Sequence, residues 1–353
     1  MATGITVAAA RSAAHDWVKS AAHAYEGYVG AYFSGSTVEM PPLGELPLGS
    51  DVDVVVVTRQ PVGGLKLGKF LHHGVLLEVT HLPWDRIAPA GRALADYHLA
   101  GGLRTDTVID DPTGRLRALQ RQVAAAFADE TWVRRRCENV RQRIENGLRA
   151  PDTRAPWHDR VTGWLFPTGV TAHLILVAAL RNPTVRLRYL RAREALTDTG
   201  LRGHYPLLLR QLGAQALTAD RVERHIDALS ATFDCAASVS RTPFFFSSDL
   251  TAAARPIAVD ASYALARRGD HQEVVFWLVA TAARCHKVLA ADAPDLKPAH
   301  EPAFAELLAD IGITSGADLR DRAERTLDEL PEIRETAEEV MAATAGARHA
   351  RES

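Results

Sequence analysis

The spacing of apolar positions changes along this chain, and the changes mark its elements. Residues 5 to 27 are alanine-rich, with polar residues on one side and no proline, which predicts a helix. YVGAYFS (28–34) is a short β-prone run ending at Gly35. DVDVVVVT (51–58) is almost all valine and is stopped by Pro61 and the Gly63-Gly64 pair, which predicts a strand. GVLLEVTHL (74–82), closed by Pro83, predicts another. Residues 84 to 100 return to helical spacing, and RTDTVIDD (104–111), closed by Pro112-Thr113-Gly114, is a fourth strand candidate.

After Gly114 the pattern is helical. Residues 115–149 read as one long charged helix, and Pro151 and Pro156 mark a break. Helix follows helix from 157 to 344, with Pro243-Phe244-Phe245-Phe246 as the one ambiguous spot and a tail (345–353) expected to fray. The fold class that follows is α+β. A small mixed β-sheet domain with flanking helices spans 1–120, and an all-α helical domain spans 121–353, entered through the linking helix 115–149.

Composition narrows the function. Forty-one basic and 43 acidic residues give a formal net charge of −2, so no global basic field draws in nucleic acid or an anionic membrane. Three well-separated cysteines, Cys137, Cys235 and Cys285, form neither a zinc pattern nor a disulfide framework and read as buried, reduced thiols. The start lacks a basic segment leading into a long apolar one, so no signal peptide is read. No stretch is expected to span a membrane; the longest apolar helix candidate, EVVFWLVATAARCHKVL, is broken by Arg284, His286 and Lys287 and reads as a buried helix. A cytoplasmic protein is expected.

The chemistry sits in the valine strand. Asp51 and Asp53 stand two apart at its entry, so they share one face while Val52, Val54 and Val56 take the other. Neighbouring carboxylates raise one another's pKa unless a cation lies between them. Mg²⁺ is such a cation, bound through one or two carboxylates together with phosphates and water. Glu78 interrupts the next apolar strand and reaches the same face if the strands pair. Three carboxylates could hold two ions, or hold one and leave Glu78 as a base. Upstream, Gly35 lets the backbone approach a phosphate and Ser36 can donate to it; Ser50 is a second donor. Singly, each feature reads as an ordinary turn or a solvated strand edge, and only the conjunction points to a site.

These residues resemble the nucleotidyltransferases of the DNA polymerase β superfamily. That pattern is a hydrophobic residue and Gly-Gly or Gly-Ser, then Asp-x-Asp in a hydrophobic strand, then a third carboxylate. Here it is matched by Phe33 and Gly35-Ser36, by Asp51-Val52-Asp53, and by Glu78. TDTVIDDPTGRL is similar to a segment of the small antibiotic-modifying members, with Ile109 where those often carry tyrosine. The loop from 37 to 50 is longer than the family's usual spacing and holds Pro41, Pro42 and Pro47. The resemblance covers about residues 5 to 120 and, more loosely, the helical remainder.

The resemblance implies a nucleotidyltransferase domain that moves a nucleoside monophosphate from an NTP, ATP, to a hydroxyl of a small molecule, releasing pyrophosphate. Asp51, Asp53 and Glu78 would hold two Mg²⁺ ions, and Gly35, Ser36 and Ser50 would hold phosphates. The acceptor would be an aminoglycoside-like antibiotic or another metabolite, bound by the helical domain, and the protein could be a homodimer. A protein or RNA acceptor is the alternative, with near-neutral charge standing against RNA. A non-catalytic nucleotide-binding protein is the other.

Remaining basic groups have simpler readings. Arg134, Arg135, Arg136, Arg141 and Arg143 read as a solvated helix face rather than a pyrophosphate clamp, as do Arg186, Arg188, Arg191 and Arg193. Arg284, His286 and Lys287 read as a polar helix edge. Lys66 and Lys69 lie between the second and third expected strands, placed to approach a triphosphate.

Overall fold

The computed structural model describes residues 4–63 and 66–352. Gly64, part of the expected strand stop, the first three residues of the chain and Ser353 at the end of the tail lie outside the described residues. The chain divides into two units. One is Met1–Arg136 with Pro243–Ile257; the other is Cys137–Thr242 with Ala258–Ser353.

The first unit is built on a mixed five-stranded sheet. Its elements are α1 (Val7–Ala21), β1 (Tyr28–Ser34), β2 (Val52–Thr58), β3 (Gly68–His72), β4 (Val75–Pro83), α2 (Trp84–Ile87), α3 (Ala90–Ala95), β5 (Val108–Asp110) and α4 (Arg115–Ala126). The strand order is β3-β4-β2-β1-β5. β2 and β4 run parallel, and every other pair is antiparallel.

Alternation along β2 and β4 decides which face carries what. Val52, Val54 and Val56, with Val75, Leu77 and Val79, pack against Ala10, Ala14, Trp17 and Val18 of α1. Burying side chains of this size stabilises the unit by about 1.5–3 kcal/mol each. On the opposite face Tyr32 and Val57 pack with Ile87, Leu94, Leu103, Leu116 and Leu119. The residues that alternate with the first set therefore point away from α1, and Asp53 and Glu78 are among them.

One strand was not expected. β3 is joined to β4 through His73 and Gly74, which have φ of 49° and 77°. That is the left-handed pair a two-residue hairpin turn of type I′ requires. The strand itself, GKFLH, alternates as it should: Phe70 packs toward α1 while Leu71 is exposed.

The second unit is helical and contains no strand among its described residues. The division between the units falls inside α5 (Glu130–Arg149). It is followed by α6 (Trp157–Ala178), α7 (Arg188–Asp198), α8 (Tyr205–Leu212), α9 (Ala219–Val239), α10 (Ala261–Arg267), α11 (His271–Asp292), α12 (Lys297–Asp310) and α13 (Gly316–Glu352). The single helix expected over 115–149 is two, interrupted at 127–129, where Asp129 precedes the first turn of α5. The tail does not fray as expected: α13 runs on through Glu352, because AGARHARE is rich in good helix formers.

The expectation that no stretch reaches membrane-spanning length is also corrected. α6 and α11 are both long and apolar enough by length and composition. However, 78% and 83% of their apolar windows are buried within the protein. None of the three cysteines is in a disulfide, and Cys285 is buried while Cys137 and Cys235 are half-buried.

Candidate metal centre

Hydrogen-bonded register brings the acids together. Asp53 on β2 pairs with Glu78 on the parallel strand β4, and with Ser34 at the end of β1. Glu78 in turn pairs with Lys69 on β3. One row across four strands thus reads Ser34, Asp53, Glu78, Lys69. Asp51 lies just before β2, two residues from Asp53 and on the same side. Carboxylate oxygens of Asp51, Asp53 and Glu78 all lie within 4.8 Å of one another. Sequence spacing alone placed two of these acids together; the parallel pairing of β2 and β4 adds the third.

Gly35 follows β1 at φ +66°, a conformation that side chains other than glycine's rarely adopt. A Cβ at this position would overlap the Asp53 carboxylate. The Gly-Ser step is therefore seated directly against the acids. Ser36 begins a short 3-10 turn (Ser36–Glu39), is half-buried, and its hydroxyl has no hydrogen-bond partner among the described residues. Ser50 is half-buried just ahead of Asp51, its N–H donating to Pro47 O at 3.0 Å. No side-chain hydrogen bond links Ser36 or Ser50 to the acids among the described residues.

The long 37–50 loop does not pull Gly35 away. Its surplus length serves α1. The Val7 and Ala8 N–H groups donate to Gly44 O and Pro42 O at 2.9 Å, and Leu46 N–H donates to Ile5 O at 2.8 Å. Two of the four orphan donors at the start of α1 are satisfied this way.

Three groups join the acids that the sequence reading did not assign to this centre as a set. Lys69 Nζ lies 3.2 Å from Asp51 Oδ2 and 2.7 Å from Asp249 Oδ1, and also donates to Glu78 Oε2. Its side chain is only 10% exposed. Lys66 donates to the other Glu78 oxygen. Asp249 comes from the 243–257 segment, which belongs to the sheet-bearing unit. The signal for Lys69 was present: His73-Gly74 marks the hairpin, and the hairpin's register sets Lys69 opposite Glu78. Asp249 had no such signal, since nothing in Phe246-Ser247-Ser248-Asp249 announces a long-range pairing. Lys66 and Lys69, two of only five lysines in the chain, are bound by carboxylates rather than standing clear in a loop.

The acids differ electrostatically. Burial pushes the Asp53 carboxyl well above the usual carboxylate range, and Asp51 and Glu78 add to this. Burial also raises Asp51, with the ammonium of Lys69 opposing it. Glu78 goes the other way. Burial acts to raise it, but Lys69 and Lys66 outweigh burial and hold it down at about 2. A carboxylate held this low, with a lysine on each oxygen, suits holding a charge better than taking up a proton.

No family model, curated protein or solved structure matches this chain. The donors themselves define what the site can do. They are carboxylate oxygens only, crowded on one face and partly open, which suits a hard divalent cation such as Mg²⁺. Two of the three are raised toward protonation, by burial first and by their neighbouring carboxylates second.

The other basic candidates are structural. Arg136 is not on a solvated face: it is buried, donating to Leu94 O and Phe127 O at 3.1 and 2.7 Å. Arg141 pairs with Glu138 and Glu145. Arg188 is buried 3.9 Å from the Phe276 ring centroid, and Arg193 pairs with Asp270 and Glu273. The expected polar edge of α11 is also corrected. Arg284 and His286 are buried, His286 stacked on Phe304 and lowered by burial to about 4, while Lys287 pairs with Asp159 at 2.7 Å.

Proposed function

We propose that this chain is a Mg²⁺-dependent nucleotidyltransferase of the polymerase β superfamily. It transfers a nucleoside monophosphate from ATP to a hydroxyl of a small molecule, an aminoglycoside-like antibiotic or another metabolite, and releases pyrophosphate. The observation that carries the reading is the row made by β2 and β4: Asp53 beside Glu78, Asp51 two residues away, and the Gly35 turn against Asp53. This is the arrangement that the resemblance in Gly35-Ser36, Asp51-Val52-Asp53 and Glu78 leads one to expect.

In this reading Asp51, Asp53 and Glu78 hold the metal. Held by these carboxylates, Mg²⁺ would supply positive charge to offset what develops on the leaving group. Gly35 gives the triphosphate close access to backbone N–H groups, and Ser36 and Ser50 supply hydroxyl donors. The acceptor oxygen forms a bond to the α-phosphorus, the bond from that phosphorus to the bridging oxygen breaks, and the hydroxyl proton passes to solvent. Glu78 serves as a ligand rather than as the base, because the two lysines lower its pKa and leave it a weak base. The helical residues 121–353 bind the acceptor, and the enzyme works in the cytoplasm, as a monomer or homodimer.

A second reading is favoured by one observation. Lys66 and Lys69 already bind both oxygens of Glu78, and Lys69 also binds Asp51. A protein that binds nucleotide without turnover would tolerate this. A screen of NTPs against antibiotics and metabolites, read by pyrophosphate release, separates the two. Turnover that is lost in Asp53→Asn supports transfer; tight ATP binding by calorimetry with no turnover across the panel supports the second reading.

A further inference from the structure

Four carboxylates meet in this cluster, those of Asp51, Asp53, Glu78 and Asp249, together with the two ammonium groups of Lys66 and Lys69. Lys66 and Lys69 answer part of this negative charge from inside the protein.

Lys69 is not a surface lysine that happens to lean inward. Its backbone stands opposite Glu78 in the β3–β4 ladder, so strand pairing aims it at the acids. Its ammonium is shared among Asp51, Glu78 and Asp249, and its side chain is 10% exposed. Asp249 lies outside the three-acid set and grips Lys69 from a different segment, which opposes its withdrawal. Asp53, by contrast, accepts no hydrogen bond from any side chain among the described residues. The cluster thus has one acid that lacks a cation and one end where a cation is built in. A second divalent ion there would meet the Lys69 ammonium at close range, and like charges repel most where water is scarce.

We propose that Lys69 is the second cation of this site, so that the protein alone binds a single divalent ion, on Asp53 and its neighbouring carboxylates, rather than two. This rests on the metal-binding part of the reading above, and it replaces the pair of ions that the resemblance implies. Nucleotidyl transfer is not needed for it to hold.

The test counts Mn²⁺ ions on the full-length protein without nucleotide, by electron paramagnetic resonance of free against bound ion. The wild type is expected to bind one ion and Lys69→Arg one. Lys69→Met, which keeps the stem and deletes the charge, is expected to bind two, and Asp53→Asn to lose the ion. Two ions on the wild type, or one on a folded Lys69→Met, would overturn the role of Lys69 while leaving the metal site standing. No ion on the wild type would remove the metal site itself, and this proposal with it. Circular dichroism checks each fold. If Lys69→Met does not fold, the wild-type and Lys69→Arg counts decide: one supports the proposal and two overturns it.

Discussion

Asp53 shares its face of the sheet with two other carboxylates, and burial and repulsion both raise it far above its ordinary value of 3.8. Its charged form is therefore a burden on the folded state. Between 3.8 and its folded value, the folded chain holds a proton that the unfolded chain has released, so stability falls as pH rises through that window. Asp53→Asn removes the burden. In EDTA at neutral pH the variant is expected to be more stable than wild type by roughly 1 kcal/mol, with the advantage vanishing below about pH 4. Thermal melts across pH check this, and a variant that melts lower at pH 7 contradicts it. Glu78 behaves oppositely: held at about 2 by its lysines, it contributes stability that is lost as pH falls from 4.5 through that value. Gly35→Ala should cost roughly 2 kcal/mol, from its positive φ and from overlap with Asp53. Part of that cost should disappear in an Asp53→Ala background, a coupling that a double-mutant cycle measures. Asp51, Asp53 and Glu78 were legible because charges inside valine strands are costly. Asp249 was not, since one aspartate after three phenylalanines and two serines resembles any loop acid.

The β3–β4 hairpin shows how far periodicity reached. β2 and β4 could be read directly, because buried strands of valine and leucine admit little else. β3 is five residues long with a lysine and a histidine in it, too short and too polar to register as a strand. Its turn was the better signal. Gly74 has φ +77° and open space around it, so a side chain there meets backbone strain alone. Gly74→Ala is expected to destabilise the first unit by about 1 kcal/mol, read as a lower urea midpoint, and to increase amide exchange in β3. An unchanged midpoint would show that the turn is not under the strain its φ implies. The 37–50 loop was legible as an insertion but not as the partner of α1, because its bonds are backbone carbonyls that no side-chain pattern records.

At the scale of the whole molecule, the sheet-bearing unit is discontinuous. Phe246, Leu250 and Ala254, which follow α9 in sequence, are buried in the segment that completes the first unit. An α+β order was visible in the sequence, with strands first and helices after. The return of 243–257 was not, because long-range packing of a short aromatic segment leaves no periodicity. Leu250→Ala should cost about 2–5 kcal/mol and raise hydrogen exchange in β3 and β4 while leaving α9 and α11 as they are. Loss confined to α9 and α11 would refute the division.

The central claim is metal-dependent nucleotidyl transfer at Asp51, Asp53 and Glu78. It is tested most directly by the rate of pyrophosphate release from ATP in Mg²⁺, with an acceptor identified by screening, in wild type against Asp53→Asn. The account predicts a loss of at least a hundredfold in a variant whose fold is intact, and no release by wild type in EDTA. Equal rates in the two proteins would contradict it.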